Sequence, residues 1–351
     1  MPELRVGTST ATRVYLDVVG PCEAGATDVE IGSSRTRYAI IGRMVTDHLV
    51  ANLLVAGVTK TGTTSLYAYL TQHPDICAPR GSKEIDFFTP MRWSGSPEGS
   101  VGDYGAYFVH CSAQRYRLDA SPQYFDGGSE LVTTVKEYSP DARILLMFRD
   151  PVERLWSHYR ALSSKEKTSD SVTFREFLKR GIDVYEQAHG DFSRFSSYRA
   201  VSLGCYDSFA RDWFEVFDDR VHVLFFEHLQ HDARAVVERT CQWLGIDVRA
   251  PRAFDYVVKN RTVDPRSVTL SKVAYAANSR VGPALARLPR VKSTISAAYG
   301  AVNSRRAAAG MDPEDRRLAE SFYRSANAAL RDNLSVRGYA DLPSWLASSQ
   351  S

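Results

Sequence analysis

From residue 51 onward the apolar positions follow two alternating patterns. NLLVAGV (52–58), ILLMF (144–148) and VHVLFF (221–226) are short continuous runs rich in branched residues, the pattern of strands buried on both faces. The segments between and after them carry apolar residues at helical spacing. TTSLYAYLTQ (63–72) places Leu66, Tyr69 and Leu70 on one face. His73-Pro74 stops that helix, because the residue before a proline resists the helical conformation. Pro151 opens VERLWSHYRAL at a first-turn position, where its missing N–H costs nothing. YDSFARDWFEVF (206–217) is amphipathic and leads into the third run, and ARAVVERTCQWLGI (233–246) reads as a helix closed near Gly245. MDPEDRRLAESFYRSANAALRDNL (311–334) is strongly periodic, with Asp312-Pro313 as cap and first turn. Strands alternating with helices predict an α/β protein built as a three-layer, mainly parallel sheet.

Elsewhere the pattern is weaker. Residues 1–50 mix Gly, Thr and Ser with short apolar stretches; a short strand pair or a loose arm both fit, and no role is assigned. Residues 81–106 hold many Gly, Ser and Pro and are expected as loops, whereas 270–310, rich in Ala, Arg and Ser, is expected to be helical. The organisation expected is one domain over 51–345, helical from about 266, behind an N-terminal segment.

Composition narrows the function. Among 351 residues Lys plus Arg is 44 and Asp plus Glu is 41, and a net charge of +3 is too small to argue for nucleic acid or a membrane surface. Any anion site must be local. No secretory signal is visible at the start. No apolar run reaches the roughly 18 residues of a membrane span. Cys22, Cys77, Cys111, Cys205 and Cys241 show no paired metal-ligand spacing and are expected as reduced thiols in a cytoplasmic protein. A homo-oligomer is left open.

The chemistry begins at LLVAGVTKTGTTSL (53–66). A strand, a glycine-bounded turn and a helix start form an anion trap, because loop N–H groups and the positive helix end face one point. A triphosphate-binding loop places Lys-Ser or Lys-Thr directly after its second glycine. Here Thr63 and Thr64 follow Gly62, and the lysine stands earlier, at Lys60. Alone, such a turn fits a structural role with a surface lysine better. Two further segments bear on it. RGSKEIDFF (80–88) places Lys83-Glu84 beside Phe87 and Phe88. A carboxylate near apolar rings gains proton affinity and a basic neighbour lowers it, so Glu84 suits proton abstraction from an alcohol; a solvated surface pair is the plain alternative. FRDPVERLWSHY (148–159) puts Arg149 at the end of a buried strand, the edge where open α/β sheets bind ligands, with Ser157 about two turns along the next helix. Its planar fork of donors suits a phosphate; pairing with Asp150 or Glu153 is the alternative.

Together these segments resemble the sulfotransferases that use 3′-phosphoadenosine 5′-phosphosulfate (PAPS), in their carbohydrate branch, which includes the heparan sulfotransferases and bacterial relatives. GVTKTGTTSL resembles the family's 5′-phosphosulfate loop, KEIDFF its Lys-Glu-x-x-Phe-Phe segment and RDPVERLWSHY its 3′-phosphate element. DASPQYF (119–125), LGCYDSFARDWFEVF, FEHL (226–229) and the close near LPSWL follow the family order. The resemblance implies that Lys60 meets the oxygen bridging phosphate and sulfur. It implies that Thr61, Gly62, Thr63, Thr64 and Ser65 hold the 5′-phosphate, and that Arg149 and Ser157 hold the 3′-phosphate. Glu84 matches the general base, with Lys83 assisting at the sulfuryl group. Tyr206 stands where the family places an aromatic near the nucleotide, or is a packing residue. YVVKNRTVDP (256–265) stands at the donor-covering loop, with Lys259 and Arg261 closing over the nucleotide. The implied product is adenosine 3′,5′-bisphosphate (PAP), no metal is expected, and the acceptor is a saccharide or other small molecule.

Two rival readings remain at this level. A P-loop kinase of small hydroxyl compounds would use Asp150 for magnesium but lacks the lysine after Gly62. A nucleotide-binding protein without catalysis would lack Glu84 or Lys60. His110, the histidine in a broadly suitable region for a histidine base, ranks below Glu84. Residues 85–118 and 160–200 are expected to build the acceptor pocket.

Overall fold

The computed structural model describes residues 49–164, 172–188, 198–257 and 310–347. Beyond these it describes three antiparallel pairings of two-residue strands: Leu4–Arg5 with Asp17–Val18, Thr8–Ser9 with Arg13–Val14, and Asp264–Pro265 with Ser304–Arg305. The expected helical stretch 270–310 otherwise lies outside the described residues.

Five strands form the central sheet: β1 (Leu53–Gly57), β2 (Ile76–Cys77), β3 (Tyr116–Asp119), β4 (Arg143–Phe148) and β5 (Val221–Phe225). Their spatial order is β2-β3-β1-β4-β5, and every pairing is parallel. The register sets Leu53 between Leu118 and Arg143, and Ile144 opposite Val221. Continuous apolar runs are required here because successive side chains point to opposite faces and both faces are covered. Leu54, Ala56, Ile144, Leu146 and Phe148 pack on one side, against α4 (Gly128–Tyr138), α8 (Tyr206–Phe217) and α11 (Pro313–Val336). Leu53, Val55, Leu145 and Met147 pack on the other, against α1 (Thr63–Leu70) and α10 (Ala233–Leu244). A third cluster joins α11 to α5 (Pro151–Ser164), α6 (Phe174–Ala188) and α7 (Arg199–Ser202). The short α9 (Phe226–His231) follows β5 directly. Gly245 ends α10 in the left-handed conformation, φ 69°.

The stretch expected as loops holds two short helices, α2 (Met91–Ser94) and α3 (Val101–Ala106). Ser100 and Asp103 form a reciprocal capping box on α3. The aromatic residues organise this stretch: Phe87 stacks on Tyr104 at 4.5 Å, and Phe88 meets Tyr104, Tyr124 and Tyr138 edge-on.

The expectation of uniformly reduced thiols fails at one pair. Cys77 and Cys111 are joined in a disulfide, because β2 and the turn after α3 bring together side chains that are 34 residues apart in sequence. Cys205 and Cys241 are buried free thiols. Among the described residues no helix is long and apolar enough to cross a membrane. A disulfide closing a loop of this length restricts the unfolded chain and is worth about 3–4 kcal/mol. Replacing Cys77 and Cys111 with serine should lower the free energy of unfolding by that amount in oxidising buffer and by nothing in strong reductant. Equal midpoints for the parent and the variant without reductant would show that the bond does not form.

Candidate active site at the carboxyl edge of the sheet

Because all five strands run the same way, their carboxyl ends open on one edge. Each delivers a short polar segment there. The loop after β1 carries Lys60 at φ 72° and Gly62 at φ 91°. Left-handed residues alternating with ordinary ones turn successive N–H groups into a concave anion cradle. Gly62 is also the N-cap of α1 and gives it no side-chain cap. A Cβ at Gly62 would stand 2.8 Å from the Phe226 ring, so only glycine fits the turn. Thr61 is fully buried, and its hydroxyl donates to the Val58 carbonyl at 2.7 Å. Its side chain is therefore spent inside the loop. Thr63 and Ser65 are buried on α1, with Ser65 hydrogen-bonded to the Tyr69 hydroxyl; Thr64 is half-buried beside them.

Arg149 stands at the end of β4 and reaches back to this loop. Its Nη1 donates to the Lys60 carbonyl at 3.2 Å, and its guanidinium lies 4.5 Å over the Phe226 ring. Burial weakens its hold on its proton, while Glu153, Tyr206 and Glu227 strengthen it from a distance. Neither Asp150 nor Glu153 pairs with it: Glu153 pairs with Arg316. Asp150 instead caps α5, accepting from the Val152 N–H at 2.8 Å while its own N–H donates to Glu227 at 2.8 Å. Asp150 Oδ1 is thereby engaged by the start of α5. Ser157 is buried on α5.

Tyr206 has the surroundings of the packing role, one of its two expected roles. It is fully enclosed, stacked on Phe148 at 4.7 Å, and its hydroxyl donates to the Arg149 carbonyl at 2.8 Å. It supports Arg149 from behind through that hydrogen bond, and burial drives its hydroxyl pKa far up. Phe226, which packs against both Arg149 and Gly62, went unrecognised, although FEHL follows the third apolar run directly.

The segment after β2 carries the carboxylate. Lys83 Nζ lies 2.7 Å from Glu84 Oε1, and the Glu84 side chain is 42% exposed. Phe87 and Phe88 turn into the core, so the lysine, not the rings, is the immediate neighbour of this carboxylate. Ser82 donates to the Glu84 carbonyl at 2.7 Å. Behind the segment, at the end of β3, Asp119 is fully buried and accepts from Ser121, Tyr124 and Tyr104 at 2.6, 2.8 and 2.9 Å. Burial pushes its carboxyl up to about 6, against the pull of those three hydroxyls. His110 is exposed, with Nε2 3.5 Å from Cys77 Sγ. Cys77, His110 and Cys111 hold their potential ligand atoms within 4.8 Å of one another, but sulfurs joined in a disulfide offer no thiolate to a metal. Lys259 and Arg261 lie outside the described residues.

Comparison with known proteins gives a consistent picture. The sulfotransferase domain family matches residues 51–275. A bifunctional heparan sulfate N-deacetylase/N-sulfotransferase 1 of Xenopus laevis is 25% identical over 303 residues, covering 84% of this chain and 30% of that protein. The heparan sulfate glucosamine 3-O-sulfotransferase 6 of Homo sapiens is 28% identical over 195 residues, 55% of this chain and 52% of that protein. The chain thus spans less than two thirds of the length of these relatives. Among solved structures, a sulfotransferase from Alicyclobacillus acidocaldarius shares the fold with a TM-score of 0.59 at 22% identity, covering 85% of this chain and 99% of that one.

Asp119 generates a pH prediction. Its folded-state carboxyl titrates near 6, against about 3.9 when unfolded. Between those values the folded chain binds more protons, so stability falls as pH rises from about 4 to about 6. Asp119→Asn does not titrate there. Relative to that variant, the parent should lose about 2–3 kcal/mol across the window, read from denaturation curves at both ends. A constant difference would show that Asp119 is ionised throughout.

Proposed function

The chain belongs to the sulfotransferase domain family, and from that premise we propose that it transfers a sulfuryl group from PAPS to a saccharide or glycosylated natural product by direct in-line displacement. The observation that carries this reading is the Arg149 guanidinium, half-buried against the phosphate-type loop with its Nη1 on the Lys60 carbonyl and, among the described residues, no carboxylate in ion-pair contact. The cradle fits the donor's phosphosulfate: it is built from backbone turns and a helix start, without the lysine that follows the second glycine in triphosphate loops.

In this reading Arg149 and Ser157 bind the 3′-phosphate. The Gly62–Ser65 backbone and the threonine hydroxyls bind the 5′-phosphate. Glu84 removes the proton from the acceptor hydroxyl as its oxygen attacks sulfur. The bond from sulfur to the bridging oxygen breaks, the sulfuryl group stays on the acceptor oxygen, and PAP leaves with both electrons of that bond. Lys60 neutralises the charge that grows on the bridging oxygen. Lys83 holds Glu84 in position before transfer and offers a cation to the sulfuryl oxygens. Lys259 and Arg261 close over the nucleotide. The positive charge comes from side chains, and no metal is called for. Alignment of acceptor oxygen, sulfur and leaving oxygen supplies much of the acceleration.

A saccharide acceptor is supported by the names of the relatives, whose carbohydrate substrates include both nitrogen and oxygen nucleophiles. The outward-turned Glu84 carboxylate suits an acceptor that approaches from solvent. The test is incubation with sulfur-labelled PAPS and a panel of glycans, glycosides and phenols, read by mass spectrometry. Glu84→Gln should lower turnover by about 10²-fold or more with PAP affinity retained. Arg149→Ala should weaken PAP binding by roughly 10- to 100-fold, the worth of a charge-assisted contact. Tighter binding of magnesium-ATP than of PAP would overturn the reading in favour of a kinase.

A further inference from the structure

SPQYF (121–125) follows β3 and has no part in the transfer chemistry described above. Its serine sits at a junction of two hydrogen bonds. The Ser121 hydroxyl donates to Asp119 Oδ1 at 2.6 Å, and its oxygen accepts the Asp86 N–H at 2.9 Å. The first bond fixes the direction of the second. With its proton committed to the Asp119 carboxylate, Ser121 has only lone pairs left, and these face the one thing that can use them, a backbone donor. The Tyr104 and Tyr124 hydroxyls hold the other Asp119 oxygen at 2.9 and 2.8 Å, so the carboxylate cannot turn away.

Asp86 needs such a partner. Its φ is 57°, and among the described non-glycine residues only Lys60 and Asp218 also have positive φ. A left-handed residue with a Cβ costs on the order of 1–2 kcal/mol and persists only where its surroundings hold it. Thr89 Oγ1 donates to Asp86 Oδ1 at 3.0 Å, which braces the same turn from its other end. Ile85 and Phe87 on either side are buried. Glu84 is therefore the last residue before a turn whose shape is locked two positions later. The same five-residue element also touches the donor side: a Cβ on Gly57 would stand 2.6 Å from the Phe125 Cβ, so Phe125 lies directly on the strand that leads to Lys60. Trp213 Nε1 fixes Phe125 by donating to its carbonyl at 3.0 Å.

We propose that Ser121, locked by the buried Asp119 carboxylate, is a positioning residue for Glu84: its Oγ fixes the left-handed turn at Asp86 and so sets where the base stands relative to the loop of Lys60. The inference rests on Glu84 acting as the base. Ser121 and Asp119 touch neither donor nor acceptor; they act through the backbone.

The test is a double-mutant cycle on the full chain with PAPS and the acceptor found by the mass-spectrometric panel. Ser121→Ala should lower kcat by about tenfold or more, since small misplacements of a catalytic group are costly. PAP affinity, measured by calorimetry, should stay within about twofold, because the donor contacts are made by other loops. In a Glu84→Gln background Ser121→Ala should cost nothing further, as expected of two residues acting as a unit. Asp119→Asn keeps the volume of the site and serves if Ser121→Ala does not fold; it should show the same kcat-selective loss, smaller in size, and the same non-additivity. An unchanged kcat, an equal loss of PAP affinity, or losses that multiply in the Glu84→Gln background would each overturn the proposal. Full turnover by Glu84→Gln alone would instead overturn the assignment of the base, and the proposal with it.

Discussion

Parallel pairing is the constraint from which the site follows. A sheet whose strands all run one way must return the chain through helices, and those helices cover both faces. The central strands are then largely apolar, with Leu53, Val55, Leu145 and Leu146 fully enclosed. The polar side chains that concern the candidate site enter at the strand ends. Lys60, Asp119, Arg149 and Glu227 all stand within a few residues of a carboxyl end. Their positions are thus set by the sheet to within a short loop, a rigid way to hold groups that must act together.

The two functional turns are strained in the same way and relieved in the same way. Lys60 and Asp86 both adopt positive φ without being glycine. In each, a backbone group of the strained residue is engaged by a side chain from the end of another strand: Arg149 Nη1 on the Lys60 carbonyl, and Ser121 Oγ on the Asp86 N–H. Neither turn would hold its shape from local sequence alone. The cost of each, about 1–3 kcal/mol, is met by contacts that also fix one loop against the next. Cys77 and Cys111 add a covalent tie at the two ends of the excursion that carries Glu84.

The parts of this arrangement that repeat with a period were legible in the sequence. Three strands announced themselves as continuous apolar runs, and α1, α5, α8, α10 and α11 as helical stripes, because burial acts on every residue of such elements. Ile76–Cys77 is too short to have a pattern, and Tyr116–Asp119 ends in the carboxylate that makes it useful. Residues 81–106 look like loop because their order comes from aromatic packing, which has no fixed spacing. The disulfide was missed because proximity across 34 residues is a property of the fold. Tyr206 showed its family position but not its direction, since an aromatic at helical spacing serves packing and binding equally well. Ser121 appeared only within DASPQYF, as part of the family order; its partner is a backbone N–H 35 positions away.

The displaced lysine of the phosphate loop and the half-buried arginine belong to one electrostatic argument. A guanidinium removed from water without a carboxylate partner carries a desolvation cost of several kcal/mol. Here the Phe226 ring and the Lys60 carbonyl offset part of that cost through cation–π and dipole contacts. A carboxylate close enough to offset the rest would hold the guanidinium against the protein and screen it from an incoming anion. Asp150 is near enough to be that partner, yet its carboxylate caps α5 and its N–H is taken by Glu227. The fold therefore keeps the arginine charge available by giving its neighbouring carboxylates other work. On the proposed function, an arriving phosphate would complete the pairing, and part of its affinity would come from relieving a cost already present in the folded chain. The same contact bears on the lysine: the Lys60 carbonyl that Arg149 holds belongs to the left-handed residue at the crown of the loop. On the proposed function, the cation that would grip one end of the nucleotide also shapes the turn that would meet the other.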